Sequence, residues 1–240
     1  MEEWRGTSST SSKVKAISGR SFITHLTSNK GLQVLYNTTM GLSSCLPRDW
    51  YARDPLLVAR ELLGMHLVRL LDGQVLRGVI SETEAYRGEE DLACHARVGR
   101  TPRTAVMYGQ PGVAYVYFTY GMHWCLNAVC LPPDFPAAVL IRAVEPVDGL
   151  AVINARRAGR LRARWTDGPA KLTQAFGVDG QQNGVDLTSQ AGGLWIEAGE
   201  PVPDERVITG PRVGIHNVSE PWRSLPWRFR THFLSQEGRG

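Results

Sequence analysis

Two apolar-rich runs, residues 65–71 and 74–86, are split by Asp72-Gly73. Asp-Gly suits the left-handed positions of a tight turn, so the pattern predicts a strand, a turn and a return strand. Ahead of them, Asp54-Pro55-Leu56-Leu57 reads as a helix start. Asp can accept from the first free N–H groups and Pro fits the first helical position. That helix is expected to run to about Leu63, with Gly64 ending it. Residues 91–97 and 101–107 read as short helical or loop pieces. Pro111-Gly112 opens a second hairpin over residues 113–131, and residues 137–145 form another strand. An Arg-rich helix is predicted over residues 148–165 and a second helix over 168–176. Residues 194–197, 205–208, 213–216 and 227–233 look like short strands. No internal repeat is present. Hairpins outnumber strand–helix–strand units, which predicts a single α+β domain: a mostly antiparallel sheet with flanking helices and a protruding β-hairpin.

Residues 1–47 lack this patterning and are rich in Ser and Thr, so they read as a mobile tail before a folded domain over 48–235 and a short tail at 236–240. Ordered signals begin soon after Met40, a candidate start. Arg5, Lys13, Lys15, Arg20 and Lys30 against Glu2 and Glu3 put +3 of the chain's net +4 into that tail. A basic balance therefore says little about the domain; clustering says more. Arg97, Arg100 and Arg103 fall close together, as do Arg156, Arg157, Arg160, Arg162 and Arg164. A hydrophobic content of 42% suffices for a sizeable core. No apolar run approaches the ~20 residues that span a bilayer, and no secretory signal is evident. The expectation is an intracellular protein (cytoplasm, nucleoid or nucleus) with Cys45, Cys94, Cys125 and Cys130 reduced. A phosphate-binding Gly loop and a G-x-S-x-G elbow are absent. His95, His123 and the cysteines do not have the paired spacing of a closed zinc site.

The chemistry concentrates between Val79 and Asn127. Strand residues alternate, so Glu82, Glu84 and Tyr86 share a face. Two readings fit the acids: they are solvated or ion-paired, or they line a site. Arg142 bears on the choice, because Val139-Leu140-Ile141-Arg142-Ala143-Val144 resembles a buried strand and a buried Arg needs a partner. A carboxylate from the neighbouring hairpin is the natural one, and such a pair can hold a water and keep the acid ionised as a general base. Aromatics at alternating positions could hold a flat ligand. An aromatic at a hairpin tip has no core to enter.

Together, Arg77-Gly78-Val79-Ile80-Ser81-Glu82-Thr83-Glu84-Ala85-Tyr86, His95, Tyr115-Val116-Tyr117-Phe118-Thr119-Tyr120-Gly121-Met122 and Cys125-Leu126-Asn127 resemble the alkyladenine (3-methyladenine, methylpurine) DNA glycosylase family. Ile141-Arg142-Ala143-Val144-Glu145-Pro146, Gly168-Pro169-Ala170-Lys171-Leu172 and Pro211-Arg212-Val213-Gly214-Ile215 continue the resemblance in order, over roughly residues 50–235. It implies a monomeric, monofunctional enzyme that flips damaged purines out of double-stranded DNA and hydrolyses their N-glycosidic bond, with no metal and no organic cofactor. By residue match, Glu84 would activate the water, with Arg142 and the carbonyl of Ile215 helping to hold it. Tyr86 would stack on one face of the base, with His95 and Tyr117 on the other; Cys125 and Leu140 complete that slot. Asn127 would reject the guanine amino group. Tyr120 would be the wedge in the duplex, supported by Met122, with Arg100, Arg103 and Lys171 facing DNA. His123 stands where a larger aromatic is common in the family. The competing readings are a non-catalytic damaged-DNA binding module and a hydrolase of free nucleosides.

The resemblance also constrains the second hairpin. A two-residue turn at Tyr120-Gly121 would pair Tyr117 with Trp124 and place Asn127 on the opposite face. A three-residue loop, Thr119-Tyr120-Gly121, pairs Tyr117 with His123 and aligns Tyr117 with Asn127. Gly121 at positive φ, or another bulge between Val113 and Asn127, is therefore expected.

Overall fold

A computed structural model describes residues 45–232 of the chain. The expected tails lie outside the described residues, apart from the last three positions of the first. Cys45 already bridges Glu197 and the Leu46 amide donates to the Ile196 carbonyl at 2.9 Å. Two short helices follow, α1 (Arg48–Tyr51) and α2 (Pro55–Glu61). The Asp54 side chain accepts from the Leu56 amide at 2.9 Å and Pro55 occupies the first turn, as the local sequence dictates. Gly64 sits at φ +89°, where a Cβ would lie 2.0 Å from the Glu200 carbonyl oxygen, so no other residue fits this exit.

The strands are β1 (His66–Leu71), β2 (Gln74–Arg87), β3 (Ala114–Thr119), β4 (His123–Val129), β5 (Ala137–Asp148), β6 (Leu194–Glu197), β7 (Ile208–Gly210) and β8 (Arg228–Arg230). They form one antiparallel sheet in the order β3-β4-β5-β2-β1-β6, with β8 joined to β2 and β7 to β8. Helices α3 (Leu150–Arg156) and α4 (Pro169–Phe176) complete an α+β domain. β2 is the spine: it pairs with β1, β5 and β8, and it carries Glu82, Glu84 and Tyr86. One face of the sheet is closed by α2 against β2 and α4 against β4 and β5. Val116, Leu126, Val139, Ile141 and Ala85 point into that side, alongside Leu62, Ile153 and Phe176. Each such Leu, Ile or Phe contributes about 1.5–3 kcal/mol of burial. The alternate residues of the same strands face the other way and make the site.

The second hairpin meets the parity expectation with a shifted loop. Thr119 pairs with His123, Tyr117 with Cys125 and Tyr115 with Asn127, so the loop is Tyr120-Gly121-Met122 rather than Thr119-Tyr120-Gly121. The Met122 amide donates to the Thr119 carbonyl at 3.2 Å, and both Tyr120 (φ +52°) and Gly121 (φ +67°) are left-handed. Two positive φ values in succession are the mark of the turn whose twist matches a hairpin. The odd count keeps Tyr115, Tyr117, Cys125 and Asn127 on one face.

Three other expectations change. The Arg-rich helix is cut short at both ends: Asp148 still pairs with Arg77 at the end of β5, and the helix spans only Leu150–Arg156. Residues 213–216 are not a strand, because Gly214 turns at φ +81° and no neighbour pairs with them. Residues 204–206 form a 3-10 turn, so the strand expected there starts at Ile208.

Candidate active site

Directly opposed residues of neighbouring strands share a face, and the pairings lay out one row across the sheet. Tyr115 opposes Asn127, Asn127 opposes Leu140, and Leu140 opposes Glu84. A flanking row holds Ala138 and Tyr86, and another Tyr117 and Cys125. All of these except Glu84, which is buried beside it, floor a cavity of about 340 Å³, walled by Cys94, His95, Met107, Thr119, Tyr120, Arg142, Pro169, Val213, Gly214 and Ile215. Side-chain alternation alone thus gathers β2, β3, β4 and β5 around one hole.

Arg142 continues the alternation of Ala138 and Leu140 on this face, and the pairing with β2 is irregular beside it. Ser81 on β2 and Arg142 on β5 are both skipped between the pairs Ile80–Val144 and Thr83–Ile141. Such bulges shift which residues of the two strands stand opposite each other. Nε of Arg142 donates to Oε1 of Glu82 at 2.8 Å and lies 3.4 Å from Oε1 of Glu84. Arg228 adds a second cation 3.5 Å from Glu82. The half-buried Arg142 in an apolar strand does have carboxylate partners on the neighbouring strand, two of them.

Glu84 is fully buried. Its Oε1 accepts from the Val213 amide at 2.7 Å and its Oε2 from the Tyr86 hydroxyl at 2.8 Å. Burial raises its pKa above the ordinary carboxylate value, while Arg142, the Val213 amide and the Tyr86 hydroxyl oppose that rise. The result is a carboxylate in a dry setting with two hydrogen-bond donors and one nearby guanidinium that favour its charged form.

The aromatics gather around the same hole. His95 meets the Tyr117 ring edge-on, with centroids 4.5 Å apart, and its Nδ1 lies 3.0 Å from the Tyr115 hydroxyl. Burial first, then Arg103 and Arg97, lowers the His95 pKa to about 4, so the ring is neutral at neutral pH. The Asn127 side chain, itself buried, donates to the Tyr115 carbonyl at 3.0 Å. Ile215 lines the cavity, and its carbonyl already accepts from the Val218 amide at 3.0 Å, leaving one lone pair.

Tyr120 is 80% exposed at the hairpin tip and Met122 66% exposed beside it. Arg103 sits at the rim, its guanidinium 5.3 Å from the Tyr117 ring centre. Arg100 and Lys171 lie outside the cavity: Arg100 is 3.6 Å from Asp134 and over the Tyr108 ring, and Lys171 is bonded to Asp167 at 2.8 Å. Among the described residues no group of three or more His, Cys, Asp or Glu side chains could hold a metal ion, and no helix is long and apolar enough to cross a membrane.

Sequence reasoning overlooked two groups. The Val213 amide on Glu84 leaves no trace in side-chain pattern. Arg212, fully buried with Asp91, lies 4.7 Å from the centre of the Tyr86 ring; the signal was a lone Arg among Pro, Val and Gly.

The chain matches the methylpurine-DNA glycosylase family over residues 49–233. A protein of Carboxydothermus hydrogenoformans is 50% identical over 186 residues, 77% of this chain and 93% of the relative. One from Myxococcus xanthus is 48% identical over 183 residues, 76% of this chain and 88% of the relative. One from Methanocella arvoryzae is 45% identical over 185 residues, 77% of this chain and 90% of the relative. Each carries the name "Putative 3-methyladenine DNA glycosylase".

Proposed function

This chain belongs to the methylpurine-DNA glycosylase family, and we propose that it works by monofunctional hydrolysis, with Glu84 as the general base and no lyase step. It is a DNA glycosylase of the 3-methyladenine type and takes DNA as its substrate. The observation that carries the mechanistic reading is the setting of Glu84: fully buried beside the cavity, yet served by Arg142, the Val213 amide and the Tyr86 hydroxyl.

The chemistry follows from that setting. An N-alkylated purine is positively charged and leaves readily with the bonding electron pair, so the enzyme chiefly supplies position and a base. Water adds its oxygen to C1′ of the sugar as the bond to the purine nitrogen breaks, and Glu84 takes the proton. The ionised carboxylate also stabilises the developing oxocarbenium charge. Arg142 and the free lone pair of the Ile215 carbonyl hold the water. Tyr86 stacks on one face of the base and His95 and Tyr117 meet the other; Leu140 and Cys125 fill the slot and Asn127 excludes the guanine amino group. Tyr120 fills the gap left in the duplex, Met122 supports it, and Arg100, Arg103 and Lys171 meet the backbone.

Stacking tolerates many purines, so we infer that hypoxanthine and ethenoadenine are released as well as methylated bases. The enzyme acts as a monomer, and residues 48–235 suffice for excision. The test is incubation with duplexes that each carry one lesion, followed by alkali cleavage. Base release from none of them would overturn the reading. A purely binding module would retain the lesion duplex uncut.

A further inference from the structure

Arg212 is a cation that the mechanism above does not use. It is 4% exposed overall and its side chain is fully buried. Its two terminal nitrogens grip Asp91 at 2.5 and 2.9 Å and reach the Ala85 carbonyl at 3.0 Å and the Trp222 carbonyl at 3.3 Å. The guanidinium lies 4.7 Å from the Tyr86 ring centre and 4.9 Å from that of Trp227. Tyr86 lines the cavity and Arg212 does not, so the cation covers the face of the ring turned away from the base.

Asp91 ties this cation to the rest of the site. Its carboxylate also accepts from the Arg87 amide at 3.2 Å and the Ala93 amide at 3.0 Å, and its carbonyl accepts from the Cys94 amide at 2.8 Å, next to His95. A buried ion pair is weak evidence for stability, because desolvation offsets most of the attraction. Its position against the stacking ring calls for another account.

An aromatic face is electron-rich and attracts cations. A guanidinium on one face draws on that density and weakens the hold of the opposite face on a second cation. A neutral purine, held by dispersion and area, loses much less. We propose that Arg212 is a positioning residue that sets the balance between positively charged and neutral damaged bases, by occupying the outer face of the ring on which the base stacks. This rests on the glycosylase reading of the cavity. Without the cation the site would favour N-alkylated, charged purines; with it, neutral lesions compete on closer terms.

The test is equilibrium binding to duplexes carrying a single 3-methyladenine (cationic) or hypoxanthine (neutral), in a Glu84→Gln background that slows release of both. Replacing the pair by apolar side chains, Arg212→Met with Asp91→Leu, should shift the ratio of the two affinities about three- to tenfold toward the cationic base. Asp91→Asn keeps the cation and removes its counter-charge, so the ratio should move the other way. Arg212→Lys keeps the charge and should keep the parental ratio. General loosening of the site would weaken both duplexes together and give no such opposite signs. An unchanged ratio in the double variant overturns the proposal. Should that variant fail to fold by circular dichroism, an unchanged ratio in the isosteric Asp91→Asn overturns it. Failure of the unmodified chain to excise either base sinks the glycosylase reading instead.

Discussion

The Tyr86 hydroxyl donates to Oε2 of Glu84 across 2.8 Å, so the ring proposed to hold the base and the carboxylate proposed to activate water are bonded to each other. They stand two residues apart on β2, on the same face, which is the closest spacing a strand allows for two cooperating side chains. Base placement and proton uptake are therefore not independent properties of this site.

Glu84→Gln should keep affinity for lesion duplexes and slow base release by about 10²–10⁴-fold, the usual worth of a positioned base. The amide is nearly isosteric but takes no proton. Single-turnover excision beside a gel-shift titration measures both; release at the parental rate would remove Glu84 from the mechanism.

Tyr86→Phe removes one of the three groups that hold the Glu84 pKa down against burial. The Glu84 pKa then rises further, so the acid limb of the pH–rate profile moves to higher pH, while rates well above that limb change little. A profile that scales down uniformly across pH would contradict this.

His95 gives a stability signature. Its pKa falls from 6.5 to about 4 on folding, so the folded state binds fewer protons than the unfolded chain in that interval. The stability it contributes is present above 6.5 and is lost as pH drops toward about 4. His95→Gln should flatten that part of the melting-temperature curve. The His95 ring signals in an NMR titration should stay those of the neutral form at pH 6; a midpoint near 6.5 would refute the assignment.

Tyr120 is a bulky side chain at φ +52°, a conformation costing about 1–2 kcal/mol for most residues. Asn tolerates that conformation better. Tyr120→Asn should leave the melting temperature equal or higher, while removal of a stacking ring costs about 1–3 kcal/mol in the lesion complex. A variant that melts lower and excises normally would reverse both expectations.

Much of the site was legible because it depends on alternation. The partnership of Arg142 with the acids followed from an Arg in an apolar run, and the odd hairpin loop followed from the need to align Tyr117 with Asn127. The shifted loop was not legible, since Thr119 can extend β3 or enter the turn without changing the parity. What stayed hidden lies in the irregular segment beyond β7. Residues 213–216 have the apolar content of a strand, yet Gly214 turns them toward the cavity and their backbone amide, not a side chain, meets Glu84. The place of Arg212 behind Tyr86 emerges only with tertiary packing. The Arg-rich stretch was overextended as a helix because Val147 and Asp148 stay in β5, where Asp148 pairs with Arg77 of β2.

The loop of β3 and β4 has a consequence for how this protein can diverge. Tyr120 and Met122 are mostly solvent-exposed, so their identities can drift with the demands of the duplex. The number of residues in the loop cannot drift in the same way. Gain or loss of one residue there would rotate Cys125 and Asn127 to the far side of the sheet and carry Trp124 and Leu126 into the cavity. Insertions and deletions at this tip should therefore survive in related sequences only in pairs, or with a compensating bulge further down β4.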